Sequence, residues 1–315
     1  PDTTTPALSH PGRCSTPLAD TPGDRVHELL EQAARFRISQ KARQLQRLED
    51  SHGFEEALWQ ALARALGYGP NKLAMNLLAQ RIPRRTLRSV RTHRTREAIL
   101  FGFAGFLTPH LHEKAPPDSR LYLETLWKDW WRVRQHHETD DTSELHWQLH
   151  GARPANHPHR RLGALAALSA EWPRLTVPAQ RPSPARLRRL AERLQNLTHP
   201  FWSQHDTLHS RATKNPVSLI GVSRINELLI NYSIPRWSRT DSEGAWQACC
   251  RIPGGTASDP VRRASTRLFG KRADAPQFRR RLWQQQALLQ IYRDFCLADA
   301  SDCEDCPFPE QLARW

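Results

Sequence analysis

The chain has 315 residues, enough for one large domain or two ordinary ones, with an apolar fraction of 38% and a formal net charge of +14 from 46 Lys and Arg against 32 Asp and Glu. No apolar run approaches the ~18 residues that cross a bilayer, and the polar, Pro/Thr-rich start is no secretory signal. That excludes a helical membrane protein and a disulfide framework laid down on secretion, and it points to a reducing cytoplasm.

Residues 1–23 are rich in Pro, Thr, Ser and Asp and read as a linker or unpacked lead-in. A chain that starts at Pro1 and holds a single methionine, Met75, reads as a fragment of a longer product. Organisation begins at Asp24. Val26, Leu29, Leu30, Ala33, Phe36, Ala42, Leu45 and Leu48 recur at helical spacing. A second helix carries Phe54, Leu58, Leu62, Ala65 and Leu66 and stops at Gly67 and Gly69. Asn71 is placed to cap a third, over 73–82. Residues 83–96 are a basic stretch. Residues 97–107 form an apolar helix in which Gly102 and Gly105 permit close approach, and 121–133 form an aromatic one with Tyr122, Trp127, Trp130 and Trp131. A short hairpin is placed around 145–149, and an Ala/Leu helix follows over 162–168. Ser183 and Pro184 open a helix along Leu187, Leu190, Ala191, Leu194 and Leu197. Residues 225–230 continue the helical pattern up to Pro235, 253–260 form a loop, and 276–296 form the last long helix. No alternating strand series and no repeat stand out. The predicted fold is all-α, a multi-helix globular domain over 24–315 with a sub-boundary near 173–183 and a C-terminal cysteine cluster.

Three constellations carry chemistry. Cys296, Cys303 and Cys306 stand in the order Cys-x6-Cys-x2-Cys. Thiolates two residues apart grip one ion from a single turn, and a third closes on it from a helix end. Cys250 or Cys249, or a histidine, is placed to supply the fourth ligand, for zinc or for an iron–sulfur cluster. The plain alternative is reduced thiols, with Cys296 as core. The spacing resembles the start of the Cys-x6-Cys-x2-Cys-x5-Cys loop of endonuclease-III-like DNA glycosylases, except that the fourth position falls on Leu312.

The second constellation spans 150–161, where Arg153, Asn156, His157, His159, Arg160 and Arg161 lead into a helix. Guanidinium groups and free amides converge at such a helix start, which suits phosphate. Capping by Asn156 is the structural alternative. The third is the arginine runs, with Arg81, Arg84, Arg85, Arg88, Arg91, Arg94 and Arg96 in one, Arg279, Arg280 and Arg281 in another, Arg262, Arg263, Arg267, Lys271 and Arg272 in a third, and Arg224 apart. If these gather on one face they form a track for DNA or RNA, and if they scatter they are a solvated surface. No Gly-x-Ser-x-Gly, phosphate-cradling Gly loop or His-Glu-x-x-His occurs, so no residue is assigned a catalytic role.

Leu66-Gly-Tyr-Gly-Pro-Asn-Lys72, Glu97-Ala-Ile-Leu-Phe-Gly-Phe-Ala-Gly-Phe-Leu107, Arg153-Pro-Ala-Asn-His-Pro-His-Arg-Arg-Leu162, the segment 221–235 with Asn231, and the Tyr292…Cys296…Cys303-x2-Cys306 ending occur in that order. Together, over about 24–310, they resemble the bacterial family catalogued as domain of unknown function 2851. Members usually carry an N-terminal region with Gly-Pro-Asp-Phe and Gly-x-Val-Glu-x-His motifs that is similar to a metal-dependent nuclease core. The resemblance implies that any hydrolysis resides in that region, which these residues do not contain. The sequence therefore predicts a basic helical nucleic-acid-binding region that is accessory to a nuclease-like domain. The competing expectation is a protein-interaction scaffold with a structural metal, using the face around Trp127, Trp130 and Trp131. The third is an independent enzyme built on His and Cys.

Overall fold

The structure is a computed structural model that describes residues 10–137, 144–151, 153–175, 182–298 and 303–314. Among the described residues every regular element is helical, and the single β-bridge joins Pro253 to Arg281. The chain divides into two compact units. One comprises Pro1–Gln44, Arg181–Leu187 and Ile230–Trp315, the other Leu45–Gln180 and Arg188–Leu229. A division at 173–183 alone does not separate them, because the chain leaves each unit and returns to it.

In the first unit the part of the helix Gly23–His52 up to Gln44 buries Val26, Leu30, Ala34, Ile38 and Ala42, a strict four-residue stripe. Phe36 lies off that line and is 48% exposed, so its place in the predicted stripe is corrected. His27 meets Trp283 edge-on at 4.9 Å, and Trp283 meets Trp246 at 5.3 Å. Arg37 donates to Gln286 and Gln290 at 3.0 and 3.2 Å, and Lys41 donates to Gln286 at 2.6 Å.

The predicted helix over 276–296 is three pieces, a 3₁₀ turn Ala275–Arg279, an α-helix Leu282–Ile291 and a π-helical turn Tyr292–Cys296. The break follows from backbone pairing across it, Gly254 N to Arg280 O at 2.8 Å and Leu282 N to Ile252 O at 3.2 Å. A related adjustment occurs at Pro235, predicted to stop a helix. The chain widens into a π-helical turn at Leu229–Ser233 and continues through Ile234–Ser238, because a proline offers no N–H to the ordinary ladder. The lead-in reading is corrected for residues 10–23. Ser15–Asp20 is helical, Leu18 and Cys14 are buried, and Gly12 N donates to Arg267 O at 2.9 Å. Residues 1–9 lie outside the described residues.

In the second unit Phe54–Leu66 has the bounds read from the sequence. Gly53 at φ 78° opens it, and the fully buried Trp59 donates to Ile82 O at 2.9 Å. Asn71 precedes Lys72–Arg81, but its side chain makes no cap. It pairs reciprocally with the Gln148 backbone at 2.9 and 2.8 Å. That pairing, with Trp147 donating to Ala104 O at 2.9 Å, fixes the 145–149 segment without the expected hairpin. Two glycines set helix spacing. A Cβ on Gly102 would lie 2.2 Å from the Trp130 ring, and one on Gly163 would lie 2.4 Å from Trp202. Thus His93–Phe103 packs closely on Pro117–Val133, and Pro158–Ala170 is buried along almost its whole length.

Candidate functional site

The 150–161 segment is not a surface site. His159, Arg160 and Arg161 are 4%, 1% and 6% exposed. Their burial is explained by the irregular chain between Gln195 and Val222, whose inward carbonyls need donors. Arg160 donates to His205 O at 3.0 Å, Val217 O at 2.8 Å and Ser218 O at 3.3 Å, and stands 3.5 Å from Asp206. Arg161 donates to Leu219 O at 3.1 Å and to the Asn156 side chain. Burial first, then Arg224 and Arg160, pulls the Arg161 pKa down to about 10. The helix cap is His157, whose Nδ1 accepts from His159 N at 3.2 Å, rather than Asn156. Arg84 and Arg224 are also buried, over the rings of Trp172 at 4.9 Å and Tyr68 at 4.8 Å. These residues, proposed from sequence as phosphate contacts, are inward-facing and hold the fold. Arg85, Arg88 and Arg153 are exposed, as is Arg280, with Arg279 half-buried. Arg279 and Arg280 belong to the first unit.

The histidines here set a pH limit. His157 and His159 accept backbone hydrogen bonds through Nδ1, the latter from Leu208 N at 3.2 Å. Burial lowers the His157 pKa to about 4 from 6.5 and lowers that of His159. Between those values the unfolded chain binds more protons, so stability is complete above pH 6.5 and is lost as pH falls toward 4. His157 alone contributes a loss of about 2 kcal/mol between pH 7 and 5. Urea midpoints at the two pH values should differ accordingly, and His157→Gln should flatten the difference. Equal midpoints for the native chain would contradict the buried-acceptor role.

The arginines that do gather are others. A cavity of about 970 Å³ in the second unit is lined by Arg94, Arg174, Arg189 and Arg193 from three stretches of chain, with His93 and His199 beside them. Arg189 and Arg193 are exposed, and neither has a carboxylate partner among the described residues. Arg193 donates to Arg174 O at 2.9 Å. Arg174 pairs with Glu171 at 2.6 Å, and Arg94 with the buried Asp129 at 2.5 Å.

Glu97, 3% exposed, also lines the cavity. It accepts from the Tyr122 hydroxyl and from Trp202 Nε1 at 2.5 Å, and stands 3.4 Å from His199 Nε2. Burial and the Glu97 charge raise the Tyr122 pKa well above the usual phenol value, so the hydroxyl is a donor at neutral pH and not a nucleophile. Tyr122 stacks on Phe201 at 3.7 Å, and both line the cavity. Phe201 is buried, with His205 stacked 3.8 Å from its other face, so the arrangement can seat an anion but presents no free Phe201 face. The sequence reading singled out neither Arg189, Arg193 nor His199 as site residues, because only folding brings them to Arg94.

The cysteines divide. Cys250 sits beside Cys249, with Glu31 and Arg35 as its nearest charges, and burial raises its pKa to about 11. It is therefore not the partner of Cys296, Cys303 and Cys306, and that assignment is corrected. The thiol beside those three is Cys14. No group of three or more His, Cys, Asp or Glu side chains among the described residues is arranged to hold a metal ion.

The family model described as "Protein of unknown function (DUF2851)" matches residues 7–249. The chain belongs to this family. The match begins ahead of the predicted residue 24, so it takes in Cys14, and it ends ahead of the C-terminal cysteines. No curated protein and no solved structure matches this DUF2851 chain. No helix among the described residues is long and apolar enough to cross a membrane.

Proposed function

We propose that this DUF2851 chain binds nucleic acid by its phosphates at the arginine-lined cavity of the second unit. The observation that carries the reading is the convergence of Arg94, Arg174, Arg189 and Arg193 around one space. Arginine forks match phosphate geometry. A net charge of +14 favours polyanions over other anions. Single strands suit the cavity better than duplex, because a single flexible backbone follows a concave basic wall. The test is fluorescence anisotropy of a labelled single-stranded oligonucleotide titrated with the full chain. Saturable binding that Arg189→Ser with Arg193→Ser weakens by tenfold or more supports the reading. Equal binding by the double variant removes the cavity from it.

A protein-partner reading keeps one observation. Trp131 is 51% exposed and lies 5.7 Å from Trp127, which borders a groove with Leu107, Leu111 and Leu123. Trp130, by contrast, is buried against Gly102 and Phe103, so the tryptophan face expected from sequence is only partly a surface. Oligonucleotide binding too weak to saturate would favour this second reading.

A further inference from the structure

We propose that Cys14, Cys296, Cys303 and Cys306 are the four ligands of one thiolate-bound metal centre, and that the centre is an iron–sulfur cluster. Cys14 comes from nearly 300 residues away in sequence, and three independent contacts bring it there. Gly12 N donates to Arg267 O at 2.9 Å, the Cys14 thiol lies 3.6 Å from the same oxygen, and the Arg267 Nη2 donates to Cys303 Sγ at 2.7 Å. Cys14 and Cys303 therefore flank a single residue, Arg267, which is 1% exposed. The approach is close, since a Cβ on Gly12 would lie 3.2 Å from Cys303 Sγ. Next to Gly12, Arg13 donates to the carbonyls of Cys303 and Glu304 at 3.0 and 2.6 Å and to the Glu310 carboxylate at 2.9 Å. The N-terminal turn thus clamps the C-terminal end of the cysteine loop.

The loop itself is built for the thiols. Cys303 holds φ 84°, a conformation that a side-chain-bearing residue adopts at a cost of about 1–2 kcal/mol. It is the one such non-glycine among the described residues. Phe295 stacks on Phe308 at 4.5 Å, which brings the residue before Cys296 against the residue two beyond Cys306. Cys14, Cys303 and Cys306 are buried at 5–6% exposure and Cys296 is half-buried. The Arg267 guanidinium hydrogen-bonds Cys296 as well as Cys303. A buried cation donating to two thiols of one group is the arrangement that neutralises thiolate charge around an iron–sulfur core and tunes it.

A bound cation takes all four as thiolates, releasing their protons to solvent. A single tetrahedral zinc needs sulfurs about 3.8 Å apart. Among the described residues no group of side chains is arranged for a single ion; a four-iron core takes one thiolate at each of four corners.

The test uses the full chain, produced with iron and purified without oxygen, alongside Cys14→Ser and Cys250→Ser. The expected result is a brown protein absorbing near about 400 nm with roughly four iron atoms per chain. Cys14→Ser should lose at least half of that iron, and Cys250→Ser should keep it. A second measurement needs no variant. Cys250 and Cys296 are both half-buried, so burial alone lets an alkylating reagent reach them alike. Ligation instead leaves Cys250 reactive and protects Cys296 until a chelator strips the metal. Cys14→Ser with its full iron, or a native chain with no metal and equal reactivity at both cysteines, overturns the proposal. A colourless chain holding about one zinc overturns the cluster and retains the four-cysteine set.

Discussion

Raising salt from about 50 to about 200 mM should weaken binding of a single-stranded oligonucleotide about sevenfold. Each phosphate neutralised on a single strand contributes about −0.7 to the slope of log affinity against log salt, so two arginines give about −1.4. The two are Arg189 and Arg193, since Arg94 and Arg174 on the same cavity are paired with Asp129 and Glu171. Removing Arg189 and Arg193 should flatten the slope. The slope discriminates better than a single affinity, because lost phosphate contacts change it and a partly unfolded variant does not. A steep slope unchanged in the double variant would place the phosphates on other exposed cations, such as Arg85 and Arg88.

Arg160→Met should lower the free energy of unfolding by about 3 kcal/mol, read as a fall in the urea midpoint at constant slope. The buried guanidinium serves His205 O, Val217 O and Ser218 O. An apolar replacement of similar length fills the space and strands those carbonyls, each at a cost of about 1–3 kcal/mol before relaxation. Arg189→Ser, on an exposed helix face, should stay within about 0.5 kcal/mol of the native chain. The same two substitutions should reverse in binding: folded Arg160→Met keeps its oligonucleotide affinity and Arg189→Ser does not. Lost binding with unchanged stability in Arg160→Met would make Arg160 a ligand contact after all.

That reversal marks where the sequence was readable and where it was not. Helix existence and type were readable because apolar spacing carries them. Phe54–Leu66 emerged with its bounds, and Ser183 does cap its helix, accepting from Arg186 N at 3.2 Å. The DUF2851 membership was readable in scattered segments. Burial of cations was not. Arg160 and Arg161 look like surface charge in one dimension, and their role depends on carbonyls 45 to 58 residues further along the chain. One local hint existed, because arginines in the first turn oppose the helix dipole and so need another partner. The cysteine set was half readable: the Cys-x6-Cys-x2-Cys spacing is local, but nothing in a Pro/Thr-rich stretch marks Cys14 as the thiol that folding delivers to it. Spacing in sequence favoured Cys250, and spacing in three dimensions overrules it.

The most direct measurement of the central claim is photocrosslinking with an oligonucleotide that carries photoreactive uracils, followed by peptide mapping on the full chain. The account predicts adducts on peptides bearing Tyr122 and residues 189–201, suppressed by unlabelled single strand and by added salt. Adducts confined to peptides of the other unit, such as the one around Arg279 and Arg280, would contradict it.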